Sequence, residues 1–346
     1  MSSYNKLLNI IVLKTNDQIN KTHDSLLTTN NEKDNSFIND RYVEFLSKNF
    51  TKLQVESIEQ INLLRFEFCN LQDLKDKLIE STCLIKNSII DLHSNYKCII
   101  LTSRQTCEAI ELSLADLIKD LDCNDIENIN DSNNNGLENK FIVYCVGQST
   151  ANRFKQIVCK LRSLNSSIDS LISIRSLDNL NSTNIEHKQN AKQLANLIIQ
   201  DYQKFKNSEL KVNFNKYALY PCSSIRKDDI SNELSKNHVH FDEIIAYRTV
   251  NCQIGIESLH NSILKLTNKK TSNFICLIFF SPSACDAVMN SKLADLIRAD
   301  MNKFKLISIG PSTTSKLKSY FANDDIYQLD EPSPQSLFDK LKLFIE

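Results

Sequence analysis

Glycine is scarce in this sequence, with 4 among 346 residues, so each one is informative. Two of them follow an apolar run and precede hydroxyl residues, in FKLISIGPSTTSKLKS at 304–319 and FIVYCVGQSTANR at 141–153. Each pattern predicts a buried strand, a sharp turn at Gly310 or Gly147, and a helix that begins at once. The unpaired N–H groups at such a helix start can bind an anion.

A second motif precedes each glycine motif along the chain. CIILTSRQTCEA at 98–109 and CLIFFSPSACDAV at 276–288 are both apolar runs that end in hydroxyl residues before a helical pattern. The order of strand, serine and helix, then strand, glycine and helix, therefore occurs twice. We predict two similarly built α/β halves, which could direct their strand ends into one cleft.

The chain also lacks an excess of charge of either sign, since 41 Lys and Arg oppose 42 Asp and Glu and leave a net charge of -1. This balance argues against a broad nucleic-acid or membrane-surface footprint, so an anionic ligand must be bound by local groups.

Long apolar runs are missing as well, and LLNIIVL at 7–13 is far shorter than the roughly 20 residues of a membrane span. It predicts the first buried strand, and because it begins so early we expect no cleaved presequence and a cytoplasmic protein.

Cysteine is plentiful, but its metal-binding and redox spacings are missing. None of the 11 cysteines forms a C-x-x-C pair, and several lie within apolar runs. We predict buried, reduced thiols. His238 and His240 lie on one face of an extended segment, but without a nearby carboxylate or cysteine they are predicted to be surface histidines rather than metal ligands.

Two amphipathic strand patterns, INLLRFEF at 61–68 and FDEIIAYRTV at 241–250, flank the first pair of motifs. We predict that they pair as antiparallel strands and connect two parallel-sheet α/β domains, one inserted into the other. The outer domain is predicted at 1–60 and 252–346, the connecting strands at 61–68 and 241–251, and the inserted domain at 69–240. Further predictions are a helix at 41–49, a separate strand at 53–58, a helix at 190–202 and a strand at 217–220.

These motifs occur in the order found in a known family. LNIIVLK, RFEF, IILTS, VGQSTA, LYPCSSIRKD, IIAYRTV, FFSPSA, IGPSTT and EPSPQSL together resemble uroporphyrinogen-III synthase, and RFEF is closest to its eukaryotic members. The resemblance implies two α/β domains joined by a two-stranded ladder, with the substrate between them. It also implies cyclisation of hydroxymethylbilane, a linear tetrapyrrole with eight carboxylates, with loss of water and inversion of ring D, by a monomer without metal or organic cofactor.

The resemblance also carries site residues onto this chain. Tyr247 matches a tyrosine proposed to assist departure of the hydroxyl, which would make it the catalytic residue. The substrate-binding positions that match are Ser103, Thr150, Ser281, Thr313, Thr314, Lys305 and Lys227. Where the family often has T-S-P-R, this chain has Thr102-Ser103-Arg104-Gln105, so no role is assigned to the arginine.

Each of these residues has a simpler explanation. The hydroxyl residues could be ordinary helix caps, Tyr247 a packed strand aromatic, and Lys305 a lysine whose stem covers apolar surface. A degenerate synthase or another two-domain protein that binds a small anion would keep the same turns. A sugar-phosphate isomerase would need a Glu or His within such a turn, and the four turns contain neither.

The Asn- and Ser-rich segments 16–39, 122–140 and 163–188 predict surface loops, because they contain too little apolar surface to offset the cost of ordering the chain. In the last of them, a short element remains possible at Ile168, Leu171, Ile172 and Ile174. Deleting residues 124–137 should therefore leave the melting temperature and the turnover number nearly unchanged. A large loss of either in the deletion variant would show that this segment is part of the folded core.

Overall fold

The computed structural model describes residues 7–16, 40–51, 54–81, 96–118, 140–162, 167–177, 191–207, 216–269, 273–321 and 326–345. The chain divides into two compact units, Met1–Phe66 with Val250–Glu346 and Glu67–Thr249. We call them the outer and the inserted unit. The predicted borders, which set the connecting strands apart as a third part, stay a prediction.

The strands of the described residues are β1 (Leu8–Asn16), β2 (Val55–Phe68), β3 (Cys98–Leu101), β4 (Phe141–Cys145), β5 (Ile172–Ser176), β6 (Ala218–Ser223), β7 (Phe241–Asn251), β8 (Phe274–Phe279), β9 (Phe304–Ser308) and β10 (Ile326–Gln328). The outer unit has the order β10-β9-β8-β1-β2, and the inserted unit has the order β7-β6-β3-β4-β5. Neighbouring strands within each unit are parallel.

The helices are α1 (Arg41–Asn49), α2 (Leu71–Ser81), α3 (Arg104–Ser113), α4 (Gln148–Leu161), α5 (Ile168–Leu171), α6 (Ala191–Asn207), α7 (Asp229–Lys236), α8 (Gln253–Thr267), α9 (Pro282–Met289), α10 (Leu293–Ala299), α11 (Pro311–Tyr320) and α12 (Pro334–Lys342). The predicted helix at 41–49 is confirmed as α1, and the predicted helix at 190–202 is confirmed but continues to Asn207.

The two units have the same strand arrangement once a circular permutation of the chain is allowed. Strands β8, β9, β10, β1 and β2 take the places of β3, β4, β5, β6 and β7. The paired motifs therefore occupy equivalent strands, β3 and β8 before the serines and β4 and β9 before the glycines. The winding direction reverses between β3 and β6 and between β8 and β1, and ligands of such sheets bind outside the carboxyl ends of the strands at that point.

Strand β2 is the neighbour of β7 in the strand order. The Cys69 N–H donates to the Ala246 carbonyl at 3.0 Å, and the Cys252 N–H donates to the Leu63 carbonyl at 2.8 Å. From the first hydrogen bond to the second, the residue number falls along β2 and rises along β7. The two strands are therefore antiparallel. The predicted α/β class with parallel sheets and a two-stranded ladder is confirmed.

The prediction of a separate strand at 53–58 is wrong, because β2 runs unbroken for 14 residues from Val55. Polar Glu59 and Gln60 break its apolar pattern, yet they are half-buried and pair in register with Ile11 and Val12 of β1. The pairing with β1 holds these polar positions in an extended conformation, which the local pattern does not indicate.

Side chains of β1 alternate between two buried layers, as the period of a strand requires. Ile11 and Leu13 pack with α8, α9, α10 and α11 on one face. Leu8, Ile10 and Val12 pack with α1 and α12 on the other. The outer unit is thus a sheet covered by helices on both faces, which explains why its central strands are apolar throughout.

Part of the segment predicted as an external loop at 163–188 belongs to the inserted unit's sheet. Residues 172–176 form β5, which pairs with β4, and Ile172 and Ile174 are each 3% exposed. Alternating apolar residues within a Ser- and Asn-rich stretch were the signal for this edge strand. The other predicted loops lie almost wholly outside the described residues.

A carboxylate anchors the amino end of the ladder strand in each unit. Glu56 of β2 accepts hydrogen bonds from Asn9 at 3.2 Å, from Asn273 at 2.8 Å, and from Lys269. The hydrogen bond from Lys269 lowers the pKa of Glu56, with smaller contributions from the two asparagines outweighing the effect of burial.

Asp242 of β7 is the equivalent group in the inserted unit. It accepts hydrogen bonds from Lys216 and Tyr96, and from Lys77 at 3.2 Å. Burial favours the protonated form of Asp242, but these three hydrogen bonds outweigh it and hold the pKa below its ordinary value. The carboxylate form therefore stabilises the folded chain.

Asp242→Asn should lower the free energy of unfolding at pH 7 by about 1 kcal/mol, which is less than the roughly 1.5–3 kcal/mol of a hydrogen bond to a charged group because the carboxylate is partly exposed. A carboxylate whose pKa is lower in the folded chain than in the unfolded chain contributes its full stabilisation above the unfolded pKa of about 4. This stabilisation is lost as the pH falls through the pKa that the group has in the folded chain. The difference between variant and wild type should therefore shrink in urea titrations at pH 3. Asp116→Asn, which breaks a surface ion pair with Lys75, is the control and should have little effect on stability at either pH. If Asp116→Asn lowered the stability as much as Asp242→Asn, the stabilising role given to Asp242 would be contradicted.

Two glycines differ in what surrounds them. A Cβ at Gly255, in the first turn of α8, would overlap the Asn62 carbonyl oxygen and lie 2.9 Å from its carbonyl carbon. A Cβ at Gly310 would meet nothing within 4 Å. Gly255 is therefore required for the close approach of a helix to β2, whereas packing does not require glycine at position 310.

Gly255→Ala should destabilise the chain by about 3 kcal/mol, because the helix and the strand backbone must move apart. Gly310→Ser is the matched control, since serine is a favourable residue at a helix N-cap and the space is open. Urea unfolding should place this control within about 0.5 kcal/mol of wild type. Equal stability of the alanine variant and the wild type would show that the helix does not press against β2.

Candidate functional site

Ser103 and Ser281 begin helices α3 and α9 with nearly identical geometry. Their backbone angles are φ −153°, ψ 160° and φ −154°, ψ 156°. The hydroxyl of Ser103 accepts a hydrogen bond from the Thr106 N–H, and that of Ser281 accepts one from the Ala284 N–H, both at 3.2 Å. Both predicted binding serines are thus N-caps, and each leaves other N–H groups of its first helical turn without an intrahelical partner.

Gly147 and Gly310 take the same place before α4 and α11, without a side-chain cap. Their φ values are −160° and −173°, which is extended backbone open to any residue. The predicted change from strand to helix does occur at both positions, but their backbone conformation does not require glycine. At Gly310 the missing side chain instead leaves open space beside the helix start.

The three predicted binding threonines are buried in the first turns of α4 and α11. Thr150 is 5% exposed, Thr313 2% and Thr314 9%. The Thr314 hydroxyl is 2.6 Å from the Ser308 hydroxyl, 3.1 Å from the Gly310 carbonyl and 2.8 Å from Gln328 Oε1. These contacts engage the Thr314 hydroxyl within the protein.

The exposed hydroxyl residues of these two turns are Ser149 and Ser312, one position earlier. Both are the second residue after the helix N-cap glycine. The helical repeat could have indicated which hydroxyl is exposed. Thr150 lies on the apolar stripe with Phe154 and Val158, whereas Ser149 does not. The accessible hydroxyl groups are therefore serines that the sequence prediction passed over.

Tyr247 lies on β7 beside the carboxyl end of β6, where it pairs in register with Ser223. Its hydroxyl is 3.0 Å from the hydroxyl of Ser103. The residue is 8% exposed, and its ring centroid lies 6.4 Å from that of Phe68. The structure thus brings together two predicted site residues, from the carboxyl end of β3 and from β7, near the point where the winding direction of the inserted unit reverses.

The two basic residues after β6 differ in their surroundings. Arg226 forms an ion pair with Glu243; this contact outweighs the effect of burial and raises the pKa of Arg226. Lys227 is exposed, and it makes no ion pair with any residue in the described part of the chain. Of these two, Lys227 is the cation that can reach an external anion.

Lys305 is not brought to the glycine turn that follows it in sequence. It is the second residue of β9, and at about 3.3 Å per strand residue it lies about 16 Å from Gly310. Its ammonium group stands 5.1 Å from the ring centroid of Phe274 and 5.9 Å from that of Tyr327. Its position favours a packing role, in which the charge lies over aromatic rings at the amino end of the sheet.

The thiols near these turns are protonated at neutral pH. Burial raises the pKa of Cys107 on α3, Cys222 on β6 and Cys285 on α9 to about 12 in each case. Nucleophilic thiolate chemistry at these positions is therefore disfavoured. Among the residues that the structure describes, no group of three or more His, Cys, Asp or Glu is arranged to hold a metal ion.

None of the described helices has both the length and the apolar character needed to cross a membrane.

The sequence model of the uroporphyrinogen-III synthase HemD family matches residues 66–339, which is most of the chain. No curated protein matches the sequence. Among solved structures, a uroporphyrinogen III synthase from Thermus thermophilus is 11% identical with a TM-score of 0.43, covering 97% of this chain and 99% of that one. The synthase from Helicobacter pylori 26695 is 14% identical with a TM-score of 0.43, covering 86% and 97%.

The assignment rests on the family match, which includes the end of β2, the whole of β7 with Tyr247, and all four strand-to-helix turns. It does not bear on the predicted eukaryotic subtype, which stays a prediction. The chain belongs to the uroporphyrinogen-III synthase family, the haem-biosynthesis enzymes that close hydroxymethylbilane into uroporphyrinogen III.

Proposed function

We propose that this chain catalyses the family reaction with Tyr247 as general acid and with the helix starts as the carboxylate-binding groups. The observation that carries the proposal is the place of Tyr247, a phenol at the carboxyl end of a parallel sheet, 3.0 Å from the N-cap hydroxyl of α3. Donation of its proton to the departing hydroxyl of hydroxymethylbilane releases water and leaves a carbon electrophile ready for ring closure.

The substrate's eight carboxylates must be bound by a chain of net charge -1. The starts of α3, α4, α9 and α11 supply backbone N–H groups and the positive ends of helix dipoles, each worth about 0.3–1 kcal/mol to a nearby anion. Ser149 and Ser312 add exposed hydroxyls, and Lys227 adds one exposed charge. Many modest contacts of this kind orient a long flexible substrate without one dominant binding residue.

Orientation is the main requirement of the reaction. The open-chain substrate cyclises without help to the isomer in which ring D is not inverted, so the enzyme must hold one folded geometry until the correct bond forms. Backbone N–H groups suit this task because the helices fix their positions. We propose that a monomer performs it in the cytoplasm, since the balanced charge offers no broad surface for membrane attachment.

Tyr247→Phe should lower kcat by about one to two orders of magnitude, because the proton donor is lost while the ring is kept. The stability loss should not exceed about 1 kcal/mol, the value of one hydrogen bond. The product should remain isomer III, because the binding groups that set ring orientation are unchanged. The measurement is turnover of hydroxymethylbilane with chromatographic separation of the oxidised isomers.

Tyr220→Phe is the matched control. Tyr220 is a buried phenol on neighbouring β6, and burial raises its pKa to about 12, so removing its hydroxyl should cost stability but not turnover. Wild-type kcat in the Tyr247 variant would reduce that residue to a packing role and leave catalysis to the helix starts.

A further inference from the structure

The Ser103 hydroxyl contacts both Tyr247 and the start of α3. It accepts from the Thr106 N–H at 3.2 Å, lies 3.0 Å from the Thr106 hydroxyl, and lies 3.0 Å from the Tyr247 hydroxyl. A serine hydroxyl has one proton to donate and two lone pairs. With one lone pair used by the helix cap, Ser103 can either donate to the phenol oxygen or accept from it.

The direction of this hydrogen bond decides what Tyr247 can do. If Ser103 accepts, the phenol proton points at Ser103 and is not available to a substrate. If Ser103 donates, the phenol oxygen is held in place and its proton points away from Ser103. The donating arrangement also favours the phenolate that follows proton transfer, because a hydrogen bond to a charged acceptor is about twice as strong as a neutral one, and the nearby N-terminus of α3 favours negative charge.

We propose that Ser103 is a positioning residue that donates its hydrogen bond to the Tyr247 phenol, rather than a ligand of a substrate carboxylate. This inference rests on the proposed role of Tyr247. As the bond from carbon to the leaving hydroxyl breaks, that hydroxyl takes the phenol proton and departs as water. Closure with inversion of ring D then breaks one C–C bond of that ring to the chain and forms two, and the ring C–H bond that is replaced releases the proton that restores the phenol.

The chain contains a matched control, Ser281, which caps a helix as Ser103 does and so separates the capping role of Ser103 from its positioning role. Ser281 has the same 3.2 Å cap and nearly the same backbone angles in the outer unit. Its hydroxyl has no contact with a tyrosine hydroxyl among the described residues. Glycine already serves at the equivalent N-caps, Gly147 and Gly310, so Ser→Gly at either serine should cost only a few tenths of a kcal/mol.

The test compares Ser103→Gly, Ser103→Thr and Ser281→Gly for kcat and KM, with Ser103→Gly also made in the Tyr247→Phe background. We expect Ser103→Gly to lower kcat about tenfold with KM nearly unchanged, because it acts on the reacting group and not on substrate binding. Ser103→Thr, which keeps a hydroxyl and a cap, should restore most of kcat. In the Tyr247→Phe background the serine change should have no further effect, since the residue acts through the phenol.

A spectroscopic measurement tests the contact without turnover. With 13C at the Cζ carbon of tyrosine, the resonance that Tyr247→Phe removes should shift in Ser103→Gly and stay in place in Ser281→Gly. A raised KM with unchanged kcat, losses that multiply in the double variant, or an unmoved Cζ resonance would each overturn the inference while the proposed function stands. A wild-type chain that forms no isomer III would overturn both.

Discussion

The structure depends on one repeated connection, in which a buried parallel strand passes into a helix through a single extended residue. It occurs after β3, β4, β8 and β9, with Ser103, Gly147, Ser281 and Gly310 as the extended residues. The strand must be apolar because helices cover both faces of the sheet. The helix that follows then begins at the carboxyl edge, where N–H groups of its first turn have no intrahelical partner, so the packing of the core creates the anion-binding positions.

This connection explains why so much could be predicted from the sequence. Apolar runs, caps and helical spacing are local signals, and the four connections appear where those signals lie. The circularly permuted likeness of the two units accounts for the paired motifs. The missed features depend on tertiary pairing. The polar middle of β2 is held against β1, which no local pattern indicates, and β5 is held against β4, although its few apolar residues lie within a Ser- and Asn-rich stretch.

The candidate site was predictable only in part, for the same reason. Hydroxyl residues at the helix starts could be located, but whether one is exposed depends on its angle around the helix, and Ser149 and Ser312 are exposed where Thr150 and Thr313 are not. Lys305 precedes the last glycine turn in sequence, yet strand length carries it to the other end of β9. The contact of Ser103 with Tyr247 joins residues 144 positions apart, and no spacing rule could supply it.

Catalysis by this chain, as proposed, is control of geometry by backbone groups, assisted by one phenol. The central claim is that the chain directs an intrinsically reactive substrate to one isomer. The most direct measurement supplies freshly made hydroxymethylbilane to the wild-type chain and to buffer alone, oxidises the products and separates isomers I and III. Isomer III in large excess with the protein and isomer I in buffer is the predicted result; isomer I in both would contradict the claim.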